Sequence, residues 1–569
     1  MSQKKFNRRE FMLAGMLGTG YAGFLYGATV GDSGKKKIHY LQSKARKMRF
    51  VQRPGKRPHI FLFTVDMISP DTYLPSRAVS RFVNLPNIRS IADSGTRFDN
   101  ALTTIPLCGP ARAALFTGTY PPYLTNGERA PLGMKLELDS NDIIFQEYLR
   151  RSGYNTKHVG KCHVGIEKFM DAFGENDDAW NRWAPPLTDD DDYVAFLQQK
   201  GVKPPAYKKE LRGLQADRKT PGNSMGGWIQ QTDGSPFPKD AHYSVYLAEK
   251  ALAKIKAAMI QAPKSPVYLQ LDFFDPHQPF SVPAGFEDRE AELRKHVQLP
   301  KSYRQLLKNN FKPLPGEGNI YEVYRQYWGA YDPDLVKDYI VAHILQMEVV
   351  DYAIGKLLRG IKTLELWDES VVIFTADHGE MNGRRGMFDK GVYFQPDVFR
   401  VPMMIKLPRN SNQIVREVKE PVSSLDISQT ILDCARLQVK AHSDGETLLP
   451  VMRGDRKRTS YTHIFQTGWH VGVNYGIGIN YYQDEQHHWF LGYNISTGQD
   501  ELYNMAEDDG NNLSVDPAYL DVRSKMLLRM GEVLQSDRRW LGYWSTFRLH
   551  KARFLPSAGG DMQMFKPKE

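Results

Sequence analysis

The chain has 569 residues, of which 41% are hydrophobic, 12% aromatic and 25% charged. This is the composition of a globular protein with a large core, and it excludes a disordered chain, a collagen, a coiled coil and a polytopic membrane protein. The net charge is +10, but residues 35–57 hold ten basic residues and no acid, and residues 58–569 carry −2. The positive charge therefore belongs to an N-terminal tail, and we expect no nucleic-acid partner.

The first 34 residues are typical of an export signal. Arg8 and Arg9 stand just before an uncharged stretch, residues 11–31. This pattern resembles a twin-arginine signal, which the twin-arginine translocase reads on folded proteins. We therefore expect an exported, periplasmic protein. The alternative is a chance arginine pair before a weak membrane helix.

The signal has no good cleavage site. Tyr26-Gly27-Ala28 has a bulky residue where a small one is needed. Because the stretch of about 20 residues is long enough to span a bilayer, residues 11–31 could stay as a membrane anchor. The basic run 35–57 then either lies on a lipid surface or forms a solvated linker, and we favour the linker.

From His59 onward, short apolar runs alternate with helical patterns, which predicts an α/β domain. The patterns predict buried strands at 60–65, 267–273 and 371–375, and helices at 142–151, capped by Ser140, and at 335–361. We expect a catalytic domain over 58–455, interrupted by a surface insertion at about 175–240 that is rich in Pro, Gly and Asp. After residue 455 the sequence pattern changes. Aromatic-rich runs at 472–482 and 488–495, then a helix at 517–534, predict a C-terminal subdomain, 456–569, with an antiparallel sheet.

Polar residues follow each of the three predicted strands: Asp66 the first, Asp275 and His277 the second, Asp377 and His378 the third. A single aspartate after a strand is usually a turn or a helix cap. Because ligands of open α/β sheets bind at the carboxyl ends of strands, we expect these side chains to meet at one edge. Oxygen and nitrogen donors without thiolate partners suit Ca²⁺, Mg²⁺ or Mn²⁺ rather than a structural zinc.

The most specific motif places Cys108, Pro110 and Arg112 at the spacing C-x-P-x-R before an apolar helical pattern. Pro110 predicts the first residue of a helix, where its missing N–H is not needed. Cys108 would then stand at the positive end of that helix, a place that favours an anionic group. An isolated cysteine is more often a buried thiol, as we expect for Cys162 and Cys434. Three cysteines exclude a disulfide framework.

The C-x-P-x-R spacing resembles the formylglycine sulfatases, and further motifs follow in that family's order. Residues 160–165 (GKCHVG), 275–280 (DPHQPF) and 375–380 (TADHGE) are similar to its G-K-x-H-x-G, P-H-x-P and D-H-G-E segments. Lys390 stands where the family places a sulfate-binding lysine. The resemblance covers residues 58–510. It implies an alkaline phosphatase-like α/β fold, with a large mixed central sheet flanked by helices and a smaller C-terminal antiparallel sheet.

The resemblance also implies the chemistry. In the family, a formylglycine-generating enzyme reads C-x-P-x-R and oxidises the cysteine, here Cys108, to formylglycine. One oxygen of the hydrated aldehyde attacks sulfur and the second hydroxyl then expels sulfate, so no water attacks the sulfate ester. One divalent cation, which we expect to be Ca²⁺ with Mg²⁺ or Mn²⁺ as alternatives, would be held by Asp66, Cys108, Asp377 and His378.

Basic side chains take the remaining roles by the same resemblance. Arg112 and Lys161 would steady the diol, and Lys161 and Lys390 would hold sulfate oxygens, where negative charge builds up in the transition state. His163 would orient the diol or take its proton, and His277 is the candidate acid for the leaving oxygen. Taken singly, each lysine would be expected on the surface.

The sequence departs from the family at Asp66, which is followed by Met67 where many members have a second aspartate, and at His378, which replaces an asparagine. Phosphonate and phosphodiester hydrolases of the superfamily share this variant, so hydrolysis of those esters is an alternative function. A non-catalytic binding protein is a further alternative, against which the complete residue set argues.

The sequence does not identify the substrate. Tryptophans in the insertion and the C-terminal subdomain either stack on a sulfated sugar or pack in the core, so a sulfated small molecule or polysaccharide is expected.

Overall fold

The structure is a computed structural model. It describes residues 48–120, 138, 142–174, 179–283, 285–391, 393–412, 415–457, 461–467, 476–495, 497–506 and 510–551. The strands, in chain order, are β1 (Phe50–Gln52), β2 (His59–Asp66), β3 (Thr96–Phe98), β4 (Ala101–Leu102), β5 (Asn155–Lys161), β6 (Ala179–Trp180), β7 (Pro205–Leu214), β8 (Pro221–Gln231), β9 (Val267–Pro276), β10 (Phe280–Pro283), β11 (Ser370–Ala376), β12 (Met403–Lys406), β13 (Glu417–Val418), β14 (Val422–Ser423), β15 (Leu437–Val439), β16 (Tyr461–Thr467), β17 (Gly476–Tyr482), β18 (His488–Asn494) and β19 (Asp500–Asn504).

The α-helices of the described residues lie mostly between the strands. They are α1 (Pro70–Tyr73), α2 (Pro86–Asp93), α3 (Cys108–Thr117), α4 (Phe145–Arg151), α5 (Ile166–Phe173), α6 (Asp191–Gln199), α7 (Tyr243–Gln261), α8 (Glu287–His296), α9 (Lys301–Lys308), α10 (Asn319–Trp328), α11 (Pro333–Thr363), α12 (Asp426–Cys434), α13 (Leu449–Met452), α14 (Leu520–Ser536) and α15 (Leu541–Lys551). Among these residues, no helix is both long and apolar enough to cross a membrane. The predicted signal, residues 1–34, lies outside the described ranges, as does most of the basic linker.

The central sheet has eight strands in the order β13-β3-β12-β11-β2-β9-β5-β6. Strands β11, β2, β9 and β5 run parallel, and β12 is antiparallel to β11, so the sheet is mixed. Every residue of β9 and β11 is buried, as expected for strands covered on both faces. This confirms the predicted α/β class and the three predicted strands.

Parallel pairing fixes where the site forms. The register of β2 and β11 places Val65 opposite Ala376, so Asp66 and Asp377 both emerge at the same edge of the sheet. β9 lies on the other side of β2, and the segment after it carries His277 to that edge. The sheet therefore delivers side chains from three strands to one place, at the edge where ligands of such sheets bind.

Helix α11 confirms the prediction at 335–361 and packs against α2, α7 and β9. Its Asp351 accepts hydrogen bonds from the backbone N–H of Ile88 (2.8 Å) and the side chain of Asn87 (2.7 Å), so this buried carboxylate caps the start of α2. The helix predicted at 142–151 begins later, at Phe145. Its first turn is capped by Glu147, which accepts from the backbone N–H of Ile144, and Ser140 lies outside the described residues.

The region predicted as a surface insertion contains regular structure. Strands β7 and β8 form an antiparallel hairpin, and β8 pairs in parallel with β10. The C-terminal prediction is confirmed: β16-β17-β18-β19 form a four-stranded antiparallel sheet, and α14 packs on β17 and β18. Apolar side chains of this sheet, α14 and α15 form a core of their own.

Candidate active site

The groups that follow β2 and β11 converge with the first residue of α3. One ligand atom from each of Asp66, Cys108, Asp377 and His378 lies within 4.8 Å of the others, and all four residues are buried. The Sγ atom of Cys108 is 3.2 Å from His378 Nε2 and 3.6 Å from Asp66 Oδ1. The structure thus brings together the four residues that the resemblance implied as metal ligands.

Helix α3 begins at Cys108 itself, two residues before the position that Pro110 predicts. The thiol therefore lies in the first turn, beside backbone N–H groups that favour negative charge. Burial opposes ionisation of the thiol, but the charges of Lys161, Lys390 and His378 outweigh it and hold the pKa of Cys108 well below its usual range. The position suits an anionic group.

Negative charge is concentrated at this point. Burial, reinforced by the neighbouring charge of Asp66, raises the pKa of the Asp377 carboxyl. Burial disfavours protonation of His378, but Asp377 and Cys108 raise the pKa of its imidazole to about 9. Two buried carboxylates beside an ionised thiol repel one another, so a cation at their centre would lower the electrostatic energy of the site.

The cationic side chains of Arg112 and Lys161 contact these two carboxylates. Arg112 lies one turn after Cys108, and its Nε donates to Asp377 Oδ2 at 2.8 Å while its Nη1 donates to the carbonyl of Lys161 at 2.9 Å. Lys161, the last residue of β5, is fully buried and its Nζ contacts Asp66 Oδ2. Neither side chain is at the surface, and both are fixed beside the reactive position.

Lys390 and His277 form a second buried pair. The Nζ of Lys390 contacts His277 Nε2 and lies 3.0 Å from Asp389 Oδ1, while His277 Nδ1 lies 2.5 Å from the carbonyl of Gln278. Burial opposes the charge of Lys390, but Asp389 and Cys108 raise its pKa above the usual range, so the amine stays protonated. Because Nδ1 faces a carbonyl, it carries the hydrogen, and Nε2 accepts from Lys390.

His163 completes the predicted set. It follows β5 with a φ of 52°, and its imidazole contributes to lowering the pKa of the Cys108 thiol. The predicted thiol Cys162 is fully buried and free, and burial raises its pKa to about 12, so it is inert under ordinary conditions. Cys434, at the end of α12, is only partly buried, yet it packs against the core as expected.

Asp275 does not reach the site. It accepts hydrogen bonds from Ser244 on α7 and, at 2.6 Å, from Gln346 on α11. Within β9, side chains alternate between the two faces, so Asp272 faces Arg112 and Asp275 faces α7 and α11. His277 lies beyond the end of β9 at Pro276, so this alternation does not set its direction. The expectation that both polar residues after the second strand reach the metal edge is therefore wrong for Asp275, whereas His277 does reach it.

Asp272, on β9, has a position in the site that the sequence analysis missed. Its Oδ1 is 3.3 Å from Arg112 Nη1, and its Oδ2 lies 2.9 Å from His158 Nε2 and 2.6 Å from Gln270 Nε2. A signal was present, because Tyr268, Gln270 and Asp272 alternate with apolar residues in a strand that is otherwise apolar. Trp183, whose carbonyl accepts from Lys161 Nζ at 3.3 Å, is a second neighbour of the site that was not placed there.

Comparison with known proteins identifies the family to which the chain belongs. The model of the Sulfatase family matches residues 79–437, and a model described as N-sulphoglucosamine sulphohydrolase, C-terminal, matches residues 383–536. The uncharacterized sulfatase YidJ of Escherichia coli is 26% identical over 476 residues, which cover 83% of this chain and 86% of YidJ.

Solved structures share the fold. The phosphonate monoester hydrolase of Silicibacter pomeroyi superposes with a TM-score of 0.60 at 16% identity, covering 83% of this chain and 94% of the hydrolase. A protein solved in complex with its substrate D-glucosamine-2-N,6-O-disulfate superposes with a TM-score of 0.54 at 17% identity, covering 84% and 98% of the two chains.

Proposed function

The chain belongs to the sulfatase family and hydrolyses sulfate esters; from this premise we propose that a formylglycine made from Cys108 and one divalent cation carry out the reaction. The observation that carries the proposal is the buried cluster of Asp66, Cys108, Asp377 and His378, with all four ligand atoms within 4.8 Å.

The donor set fits a divalent cation. Asp66, Asp377 and His378, with the residue at position 108, would hold it, and when bound it would polarise the oxygen at that position. Burial of Asp377, together with the neighbouring charge of Asp66, raises the pKa of Asp377 and supports a site that needs a cation. Carboxylate oxygens favour Ca²⁺, with Mg²⁺ or Mn²⁺ as alternatives.

A formylglycine at position 108 supplies, once hydrated, an oxygen nucleophile and a second hydroxyl through which sulfate is released. Cys108 is only 6% exposed in the folded chain. A formylglycine-generating enzyme would therefore act before folding, when C-x-P-x-R is still accessible. The low pKa of the thiol indicates that the surroundings of position 108 also favour a negatively charged oxygen there.

The chain's own cations bind and orient the ester. Lys161 and Lys390 bind sulfate oxygens, Arg112 fixes Asp377, and His163 orients the diol at position 108 or takes its proton. His277 is the proposed acid for the leaving oxygen, and the Nζ of Lys390 contacts its Nε2. Arg112, Lys161 and Lys390 carry their charges away from solvent, where electrostatic stabilisation of the transition state is strongest.

Hydrolysis of a phosphodiester or phosphonate is the second candidate function. Two observations support it: Met67 follows Asp66, and the phosphonate hydrolase of Silicibacter pomeroyi shares the fold. Purified enzyme would be assayed with 4-nitrophenyl sulfate and with a phenyl phosphonate ester under the same conditions. We expect the higher kcat/KM for the sulfate, and a higher value for the phosphonate would overturn the assignment. The glucosamine disulfate complex of the structural relative supports a sulfated sugar as the natural substrate class.

Export through the twin-arginine translocase to the periplasm is the proposed localisation. It rests on Arg8 and Arg9 alone, since residues 1–34 lie outside the described ranges. Because arginine's planar fork differs from an ammonium, Arg8→Lys combined with Arg9→Lys should leave active enzyme in the cytoplasm. Periplasmic activity in that double variant would contradict the proposal. Cell fractions would also show whether residues 11–31 remain as an anchor or are removed.

A further inference from the structure

The segment that carries Trp183 is held firmly against the site. The backbone N–H of Cys162 donates to the carbonyl of Trp180 at 3.0 Å, the backbone N–H of Gly165 donates to the side chain of Asn181 at 3.2 Å, and Lys161 Nζ donates to the carbonyl of Trp183. Three consecutive contacts thus tie this segment to the end of β5 and to a lysine of the active site. The position of Trp183 is fixed by its backbone.

Trp183 is nevertheless partly exposed to solvent. The residue is 43% exposed, which is unusual for a tryptophan on a well-anchored segment. Its ring centroid lies 6.1 Å from that of His277, with the planes at 56°. A partly exposed aromatic ring therefore lies beside the imidazole that the proposed function places at the leaving oxygen.

We infer that Trp183 forms the binding surface for the leaving alcohol and that it selects esters whose alcohol carries a six-membered ring, aromatic or pyranose. This inference rests on the proposed function, because the sulfate must lie at Lys161 and Lys390 for the alcohol to project past His277. A flat apolar ring stacks on an indole, and the C–H face of a sugar does the same, whereas an acyclic alcohol offers no such face.

The test compares three substrates on two variants. Trp183→Leu keeps an apolar side chain but removes the aromatic face, and Trp183→Phe keeps a smaller one. Substrates are 4-nitrophenyl sulfate, a monosaccharide 6-O-sulfate and n-propyl sulfate. For Trp183→Leu we expect kcat/KM to fall about tenfold on whichever ring substrate the enzyme prefers and to change little on n-propyl sulfate. Trp183→Phe should recover most of the loss.

The matched control is Trp367→Leu, which removes an indole just before β11, at the opposite edge of the sheet. It should affect all three substrates alike. An equal loss on ring and acyclic esters in Trp183→Leu, or no loss at all, would overturn the inference. The two ring substrates separate an aryl from a sugar preference. A wild-type enzyme inactive on all three sulfates would instead count against the proposed function.

Discussion

The pocket at the ends of β2, β9 and β11 and the core of the C-terminal sheet are both buried, but they are built from opposite side chains. The pocket encloses ionised groups, among them Asp66, Arg112 and Lys161, none of which is exposed. The C-terminal core is made of Ile, Leu, Met and aromatic side chains. Apolar burial stabilises a fold directly, whereas buried charges rarely do so. The difference indicates that the pocket is maintained for chemistry and the C-terminal core for stability.

Replacing a residue proposed to ligate the metal should lower the activity more than any other change. Asp377→Ala takes away one of two carboxylates of the cluster and the partner of Arg112 Nε. We expect kcat to fall by at least about 10²-fold and the bound metal to be lost. Metal content per protein and kcat for an aryl sulfate are the measurements.

Asp351→Asn is the matched control, because it alters a buried carboxylate on α11 that only caps α2. It should lower stability while leaving the metal content unchanged. Equal metal content in the Asp377 and Asp351 variants would show that the cluster does not bind the cation.

Substitution of Asp272 tests whether a residue next to the cluster affects catalysis through Arg112. Asp272 contacts Arg112 and not the cluster itself, so it is a positioning residue. Asp272→Asn should lower kcat about tenfold and leave KM within about twofold, because partners behind a catalytic group orient it without binding substrate. The control is Gln146→Met, at the far end of the same polar chain, where Gln146 donates to Gln270. A comparable fall in kcat in both variants would point to a general packing effect instead.

The sequence analysis predicted Asp66, Asp377 and His378 at one edge because they directly follow buried strands. Cys108 joined them only through the resemblance that its C-x-P-x-R motif carries. The sequence analysis missed Asp272 because a strand's apolar character outweighed the polar alternation at Gln270 and Asp272. It misplaced Asp275 because the end of β9 decides which face that side chain takes, and a strand's last residue is poorly defined by sequence. Trp183 belongs to the site only through contacts between segments that are separate in the chain. A strand can be predicted from the residues within it, whereas contacts between side chains of distant segments cannot.

In the C-terminal core the expected effect is on stability alone. Leu534, on α14, is fully buried among apolar neighbours. Leu534→Ala should lower the free energy of unfolding by about 2–5 kcal/mol, since a cavity replaces the side chain. Urea unfolding gives this value, and kcat per folded molecule should stay at the wild-type level. A loss of kcat at unchanged stability would contradict the division between the two regions.

The smallest effect concerns pH. Burial, with a contribution from Arg400, lowers the pKa of His488 to about 3. Below pH 6.5 the unfolded chain therefore binds a proton at this residue that the folded chain does not, so stability falls as the pH drops from 6.5 toward 3. At pH 5.5 this costs about 1.4 kcal/mol. His488→Gln should remove that part of the slope between pH 7.5 and 5.5, and identical slopes in variant and wild type would refute the assignment.

The central claim, that Cys108 becomes the nucleophile as a formylglycine, is tested most directly by the mass of the peptide that contains residue 108. The measurement is made on enzyme co-produced with a formylglycine-generating enzyme, and kcat is taken from the same sample. The account predicts a peptide lighter by the difference between a thiomethyl and an aldehyde side chain, in a fraction that rises in proportion to kcat. Full sulfatase activity in a sample whose Cys108 is entirely an unmodified thiol would contradict it.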